Sequence, residues 1–254
     1  MGVGAARNRG LREGRAEWIV FLDDDVCVGP GWLRGVAQEI ERPGLDLIAG
    51  RVILKWEAAR PTWWSAEFEP LLSICDHGEQ RVELSRAQAV GANFAFRGAV
   101  IGSVGGFLEG LGRRGKRALS GEETEFLERA LAAGFRMAYV PAMMVEHRIR
   151  ADRARARYLS WVAYGNARSR VRYRPFLGSA RIMRALFLKP LRIPVYSMIG
   201  AVHALRGRTL LAVRYRIARA QIRGRMHGTL DRFVQVVPPS APSIRRSSTL
   251  EPGR

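Results

Sequence analysis

The stretch Trp18-Ile19-Val20-Phe21-Leu22-Asp23-Asp24-Asp25 decides how this chain is read. Its five apolar residues, mostly β-branched or aromatic, predict a buried β-strand. Three adjacent carboxylates then fall where the backbone leaves the sheet. Their mutual repulsion is costly unless a positive group, most simply a divalent cation, joins them. In open α/β sheets the carboxyl ends of strands are also where ligands collect. An acidic surface turn is the plain alternative, and the triplet alone does not choose between them.

Working outward, residues 2–16 predict a helix ending near Gly14. The turn Gly29-Pro30-Gly31 predicts a helix over 32–40, because proline favours helix starts. Residues 45–54 are apolar and interrupted by Gly50, which reads as one bent strand or two. Residues 60–86 predict loop and short helix, 90–96 a strand, and Gly105-Gly106 a turn. A helix over 122–133 has Phe126, Leu127, Ala130 and Leu131 on one face and Gly134 as its stop. A strand over 135–140 is expected to end at Pro141. This strand–helix alternation implies an α/β domain over 1–147.

The net charge of +19 is unevenly spread. Residues 148–254 hold 24 Lys/Arg against three acids, whereas 1–147 hold 18 against 20. A near-neutral domain is thus followed by a cationic region suited to a polyanionic partner. Two cysteines, Cys27 and Cys75, are too few for a disulfide framework or a zinc cluster. With no apolar leader after Met1 and no run of ~18 uninterrupted apolar residues, a cytoplasmic chain without a membrane span is expected.

Three segments carry a resemblance: Phe21-Leu22-Asp23-Asp24-Asp25, Gly121-Glu122-Glu123-Thr124-Glu125-Phe126-Leu127, and Val145-Glu146-His147. Three more fall in order with them: Gly4-Ala5-Ala6-Arg7-Asn8-Arg9-Gly10, Gly91-Ala92-Asn93-Phe94-Ala95-Phe96-Arg97, and Val104-Gly105-Gly106-Phe107. Together residues 4–147 resemble the family 2 glycosyltransferases. The resemblance implies a GT-A (Rossmann-like) α/β domain with a mainly parallel sheet, followed here by a basic α-helical extension over 148–236 and a disordered tail over 237–254.

The resemblance further implies an inverting transfer of a sugar from a nucleotide-diphosphate donor to a saccharide or lipid-linked acceptor. Asp23, Asp25 and His147 would hold Mg²⁺ or Mn²⁺, hard ions that take oxygen ligands and neutralise a departing diphosphate. Arg7, Asn8, Asp23, Asp24 and Asn93 would face the nucleotide-sugar, and Gly105, Gly106 and Phe107 the acceptor. The family places its general base at the second residue of the acidic pair, normally Asp. Here that residue is Glu123, beside Glu122, and the added methylene moves the carboxylate by about 1.5 Å on an unchanged backbone.

Other readings stand beside these. Ser120-Gly121-Glu122-Glu123 also fits a capping box, with acids favoured by the helix dipole. Trp63 and Trp64 suit sugar stacking, lipid docking or simple packing. The basic region interleaves arginine with apolar residues, predicting amphipathic helices separated near Pro190 and Pro194. Such helices suit an anionic membrane surface, here the inner face of the plasma membrane. Packing against the domain and nucleic-acid binding are the alternatives, although no nucleic-acid module is recognised. Because the family's opening base-binding strand is not evident after Met1, a non-catalytic remnant is a further alternative.

Overall fold

A computed structural model describes residues 2–113, 115, 119–173 and 182–234. The expected tail over 237–254 lies outside the described residues. Helix α1 (Val3–Glu13) ends at Gly14 as its glycine suggests. Strand β1 (Trp18–Leu22) leads through the acidic turn to β2 (Val26–Val28), and α2 (Trp32–Ile40) follows. Then come β3 (Leu47–Trp56), a 3₁₀ segment (Ala66–Leu72), β4 (Val82–Leu84) and β5 (Asn93–Arg97). Helices α3 (Ala99–Val104) and α4 (Glu122–Ala132) precede the long strand β6 (Met137–Ile149).

The sheet runs β1-β5-β3-β6-β2, with β4 pairing β6 beside that path. It is mixed rather than mainly parallel. Among the described residues only β3 and β6 pair in parallel, while β5 opposes both β1 and β3, and β2 and β4 oppose β6. The resemblance implied a mainly parallel sheet, but β1 and β2 are joined by the acidic turn alone. Nor is β1 fully buried. It lies at the edge of the described sheet and is only half covered, with Leu22 exposed.

Strand alternation builds the two faces. Leu47, Ala49, Phe94, Phe96, Met137 and Tyr139 point to one side, where Leu11, Phe107, Phe126 and Leu127 cover them. Ile48, Ala95 and Ala138 point to the other side, against Val36 and Ile40 of α2. Pro141 does not end β6. Pairing with β3 shifts register between Gly50 and Val52, opposite residues 140 and 145, so Pro141 falls where the ladder is interrupted.

Beyond β6 the basic region is helical. Helix α5 (Ala156–Tyr173), a single π turn (Arg184–Leu188), α6 (Arg192–Leu205) and α7 (Thr209–Val234) follow. Pro190 precedes α6, but Pro194 lies inside its first turn, where a missing N–H costs no helical bond. Helices α5 and α7 pack closely because Gly224 and Gly228 have no Cβ. One added there would meet the carbonyl oxygens of Tyr164 and Arg168 at 2.3 and 2.5 Å. A bidentate Arg168–Asp231 pair at 2.7 and 2.8 Å closes the same interface.

The extension also packs on the domain. Leu159, Ala163, Val213 and Ile217 join Phe68, Leu72 and Ile149 in one cluster, against which Trp63 and Trp64 are packed. Those two tryptophans serve packing here: Trp64 meets Trp56 and Phe68 edge-on at 4.7 and 5.7 Å.

Candidate active site

The acidic turn, the N-terminus of α4, the start of α1 and the end of β6 meet at a cavity of about 260 Å³. Arg7, Asp23, Asp24, Asp25, Glu122, Glu123 and His147 all line it, with Ser73, Arg113 and Arg153. Seven residues expected from sequence are therefore brought together from four separate segments. A second cavity of about 340 Å³ adjoins it, and Glu123, Ser73, Arg113 and Ser120 line both. Its far side is formed by α5, including Val162, Asn166 and Tyr173.

One wall is a buried ion pair. Arg7 and Glu122 are only 8% and 7% exposed, and Nη1 donates to Oε1 at 2.7 Å. The guanidinium also donates to the Gly91 carbonyl at 3.1 Å and lies 5.5–5.6 Å from the rings of Phe21, Phe94 and Phe107. Asp23 approaches Arg7 at 3.6 Å. Arg7 is thus a fixed part of the wall, and Glu122 is its counter-ion.

Glu123 differs from its neighbour. Its carboxylate is 4.0 Å from Arg7, 18% exposed, and opens onto both cavities. Burial first, and the Glu122 charge second, push its carboxyl up to about 8. The helix begins here because Gly121 adopts φ +84°, a left-handed conformation glycine takes without strain. No capping box forms: Gly121 is the N-cap, and the Ser120 hydroxyl donates instead to Asn166 Oδ1 at 2.6 Å. The capping role therefore does not engage the Glu123 carboxylate, which shares a hydrogen bond with Glu122.

The opposite wall holds Asp25, His147 and Arg153. His147 Nδ1 donates to the Leu72 carbonyl at 2.8 Å, which turns the Nε2 lone pair toward the cavity. Nε2 lies 3.5 Å from Asp25 Oδ1 and accepts from Arg153 Nη1 at 2.9 Å. Arg153 Nη2 also meets Asp25 Oδ2 at 2.6 Å. Arg153, paired with Asp25 Oδ2, favours the ionised carboxylate there. For Asp23, burial instead raises the carboxyl, with Arg7 opposing it.

The donor set at this wall fits a hard divalent cation. Asp25 Oδ1 is buried without a hydrogen-bond partner, and the oriented imidazole nitrogen lies beside it. Asp23 does not join them. Among the described residues no three His, Cys, Asp or Glu side chains converge to hold an ion by themselves. Asp23 turns to Arg7 instead, leaving a two-ligand set of the kind completed by substrate phosphates.

Several expected residues lie elsewhere. Asn8 is fully buried and grips the Phe107 backbone in both directions, at 2.8 and 2.9 Å. Asn93 is equally buried, donating to the carbonyls of Arg51 and Met143 and accepting from Trp32. Both asparagines hold backbone groups inside the fold and line neither of these two cavities. Phe107 belongs to the core, and Arg129 holds the Gly106 carbonyl, so Gly105-Gly106-Phe107 do not line the adjoining cavity. Arg113 and Arg153 line the site without having been expected.

An α/β domain with an acidic turn at the end of its edge strand, facing a paired histidine and carboxylate, has the architecture of the GT-A glycosyltransferases. Residues 1–104 match the family described as Glycosyl transferase family 2. It is 31% identical over 150 residues to the pre-mycofactocin glycosyltransferase of Mycobacterium tuberculosis, covering 58% of this chain and 30% of that one. It is 27% identical over 153 residues to the glucosyl-dolichyl phosphate glucuronosyltransferase of Haloferax volcanii, covering 58% and 48%. The matches thus span less than half of these relatives' lengths. The mannosyltransferase PcManGT of Pyrobaculum calidifontis, solved with GDP-Man and Mn²⁺, shares the fold at a TM-score of 0.51 and 15% identity. That match covers 91% of this chain and 66% of the other.

Proposed function

We propose that this chain is an inverting glycosyltransferase, with the nucleotide-sugar in the 260 Å³ cavity and the acceptor in the adjoining one. The observation that carries this reading is Glu123, a carboxylate free of any ion-pair partner closer than Arg7 at 4.0 Å, standing where the two cavities meet. Glu123 takes the proton of an acceptor hydroxyl as that oxygen attacks the anomeric carbon. The bond from that carbon to the diphosphate oxygen breaks, its electron pair leaves with the diphosphate, and the configuration inverts. A carboxyl raised to about 8 is a stronger base than an ordinary carboxylate once ionised.

Asp25 and His147 would hold Mg²⁺ or Mn²⁺, which supplies charge neutralisation for the leaving diphosphate. Asp24, exposed on the turn, and Asp23 line the same cavity and would meet the ribose and sugar hydroxyls. The acceptor side is α5 and the 3₁₀ segment rather than the Gly105-Gly106-Phe107 turn. The relatives' names, which include a dolichyl phosphate substrate, support a saccharide or lipid-linked acceptor.

Helix α6 and the turn before it suit a membrane surface. Residues Arg184–Leu205 include an 18-residue window of mean hydropathy 1.3, long and apolar enough to cross a membrane by length and composition. Reading only uninterrupted apolar runs overlooks it, because Arg184, Lys189 and Arg192 interrupt the segment. Phe187, Leu191, Val195, Met198, Val202 and Leu205 recur at helical spacing and are all exposed. With cations beside that stripe, we assign it to an anionic lipid surface, peripherally and on the cytoplasmic side. Cosedimentation with vesicles containing phosphatidylglycerol is expected, and the double variant Leu191→Glu/Met198→Glu is expected to lose it.

The transfer reading is tested by Glu123→Gln. This variant is expected to bind donor normally while losing transfer, and transfer at the native rate would sink the assignment.

A further inference from the structure

The metal-binding wall already contains a cation of the protein's own. Arg153 lies in the turn between β6 and α5, its backbone N–H donating to the Arg150 carbonyl at 2.9 Å. Its guanidinium reaches back to Asp25 Oδ2 at 2.6 Å and to His147 Nε2 at 2.9 Å. These are the same two side chains, and in the case of His147 the same lone pair, that a divalent ion would take. A guanidinium and a metal cannot both occupy the Nε2 lone pair. Their like charges would also repel across the few ångströms of a half-buried wall, where screening by water is weak.

Arg153 satisfies the pair only in part. Asp25 Oδ1 remains buried without a hydrogen-bond partner while Oδ2 is occupied. Arg153 itself is 20% exposed and sits on a turn, so its side chain can leave without unpacking a core. The cavity it would swing across is the one that receives the diphosphate in the proposed function, and a guanidinium pairs well with phosphate oxygens.

We propose that Arg153 is the resident cation of the Asp25–His147 pair, competing with the divalent metal when no donor is bound and transferring to the diphosphate when metal and donor enter together. This inference rests on the metal-assisted reading of the site. Its consequence is a coupling: metal binds weakly alone and more tightly with a diphosphate, and the enhancement is reciprocal.

The test is a calorimetric titration of the full chain with Mn²⁺, with and without inorganic pyrophosphate, in the native protein, Arg153→Gln and Arg153→Ala. Two substitutions guard against one that folds poorly. Both variants are expected to bind Mn²⁺ alone at least tenfold more tightly than the native chain, and to lose most of the enhancement by pyrophosphate. Native-like or weaker Mn²⁺ affinity in both variants overturns the proposal, as does the absence of Mn²⁺ binding in all three proteins. These outcomes are separate from the reading of function. Equal Mn²⁺ affinities with sugar transfer intact would remove only the competition, whereas tighter Mn²⁺ binding in the variants with no transfer to any acceptor would remove only the activity.

Discussion

The two walls of the pocket are made of the same materials and do opposite things. Each sets one arginine against a carboxylate, at 2.7 Å for Arg7–Glu122 and 2.6 Å for Arg153–Asp25. Arg7 and Glu122 are under a tenth exposed, and three aromatic rings surround the guanidinium. Arg153 and Asp25 are 20% and 29% exposed, and one carboxylate oxygen has no partner. Burial separates the roles. A buried pair cannot be broken cheaply and therefore shapes the site, whereas a half-open pair can exchange partners and therefore serves it.

The largest expected effect falls between the walls. Glu123→Gln should lower transfer by roughly 10²–10⁴-fold, the usual range for loss of a general base, with donor binding unchanged. A comparable loss in Glu122→Gln without any change in stability would erase the distinction drawn between the two glutamates.

Next comes the closed wall. Arg7→Met leaves Glu122 buried and unpaired, which should cost about 3–5 kcal/mol in urea unfolding. Adding Glu122→Gln should recover part of that loss. If Arg7→Met is as stable as the native chain, the closed wall is not a lock.

A smaller effect is read from pH. A raised carboxyl is protonated below its own value, so base catalysis is lost as pH falls. Transfer should rise with pH and level off above about 8, falling roughly tenfold per unit below it. A rate constant from pH 5 upward would place Glu123 in an ordinary environment. The smallest effect belongs to the seam with α5: Ser120→Ala loses one hydrogen bond to Asn166 and should cost about 1 kcal/mol by thermal unfolding.

How much of this was legible depended on whether the deciding interaction was local. Helix α1 with its glycine stop, β1 and α2 were readable because periodicity and turn residues lie within the segment. The acidic turn, Glu123 and His147 were readable as a set only through the family resemblance, carried by six segments in order, because each alone also fits a surface turn, a helix start or a loop histidine. The direction of the strands was not, since nothing in β5 alone says that it opposes both neighbours.

Asn8 and Asn93 misled because a buried asparagine that ties backbone together looks, in sequence, like one that faces a ligand. Pro141 misled because the interruption that accommodates it is set by β3, about ninety residues away. Arg153 was invisible for a different reason. It is one of 24 basic residues in its half of the chain, and only folding brings it against Asp25. The pairing of Arg7 with Glu122, across 115 residues, was hidden in the same way.

The central claim is that the open wall binds a nucleotide-sugar through a divalent ion at Asp25. The most direct measurement is donor binding across UDP-, GDP- and dTDP-sugars with Mn²⁺, repeated with EDTA and with Asp25→Ala. At least one donor should bind, and both EDTA and the substitution should abolish that binding. Failure of every donor to bind, or binding indifferent to both, would contradict the account.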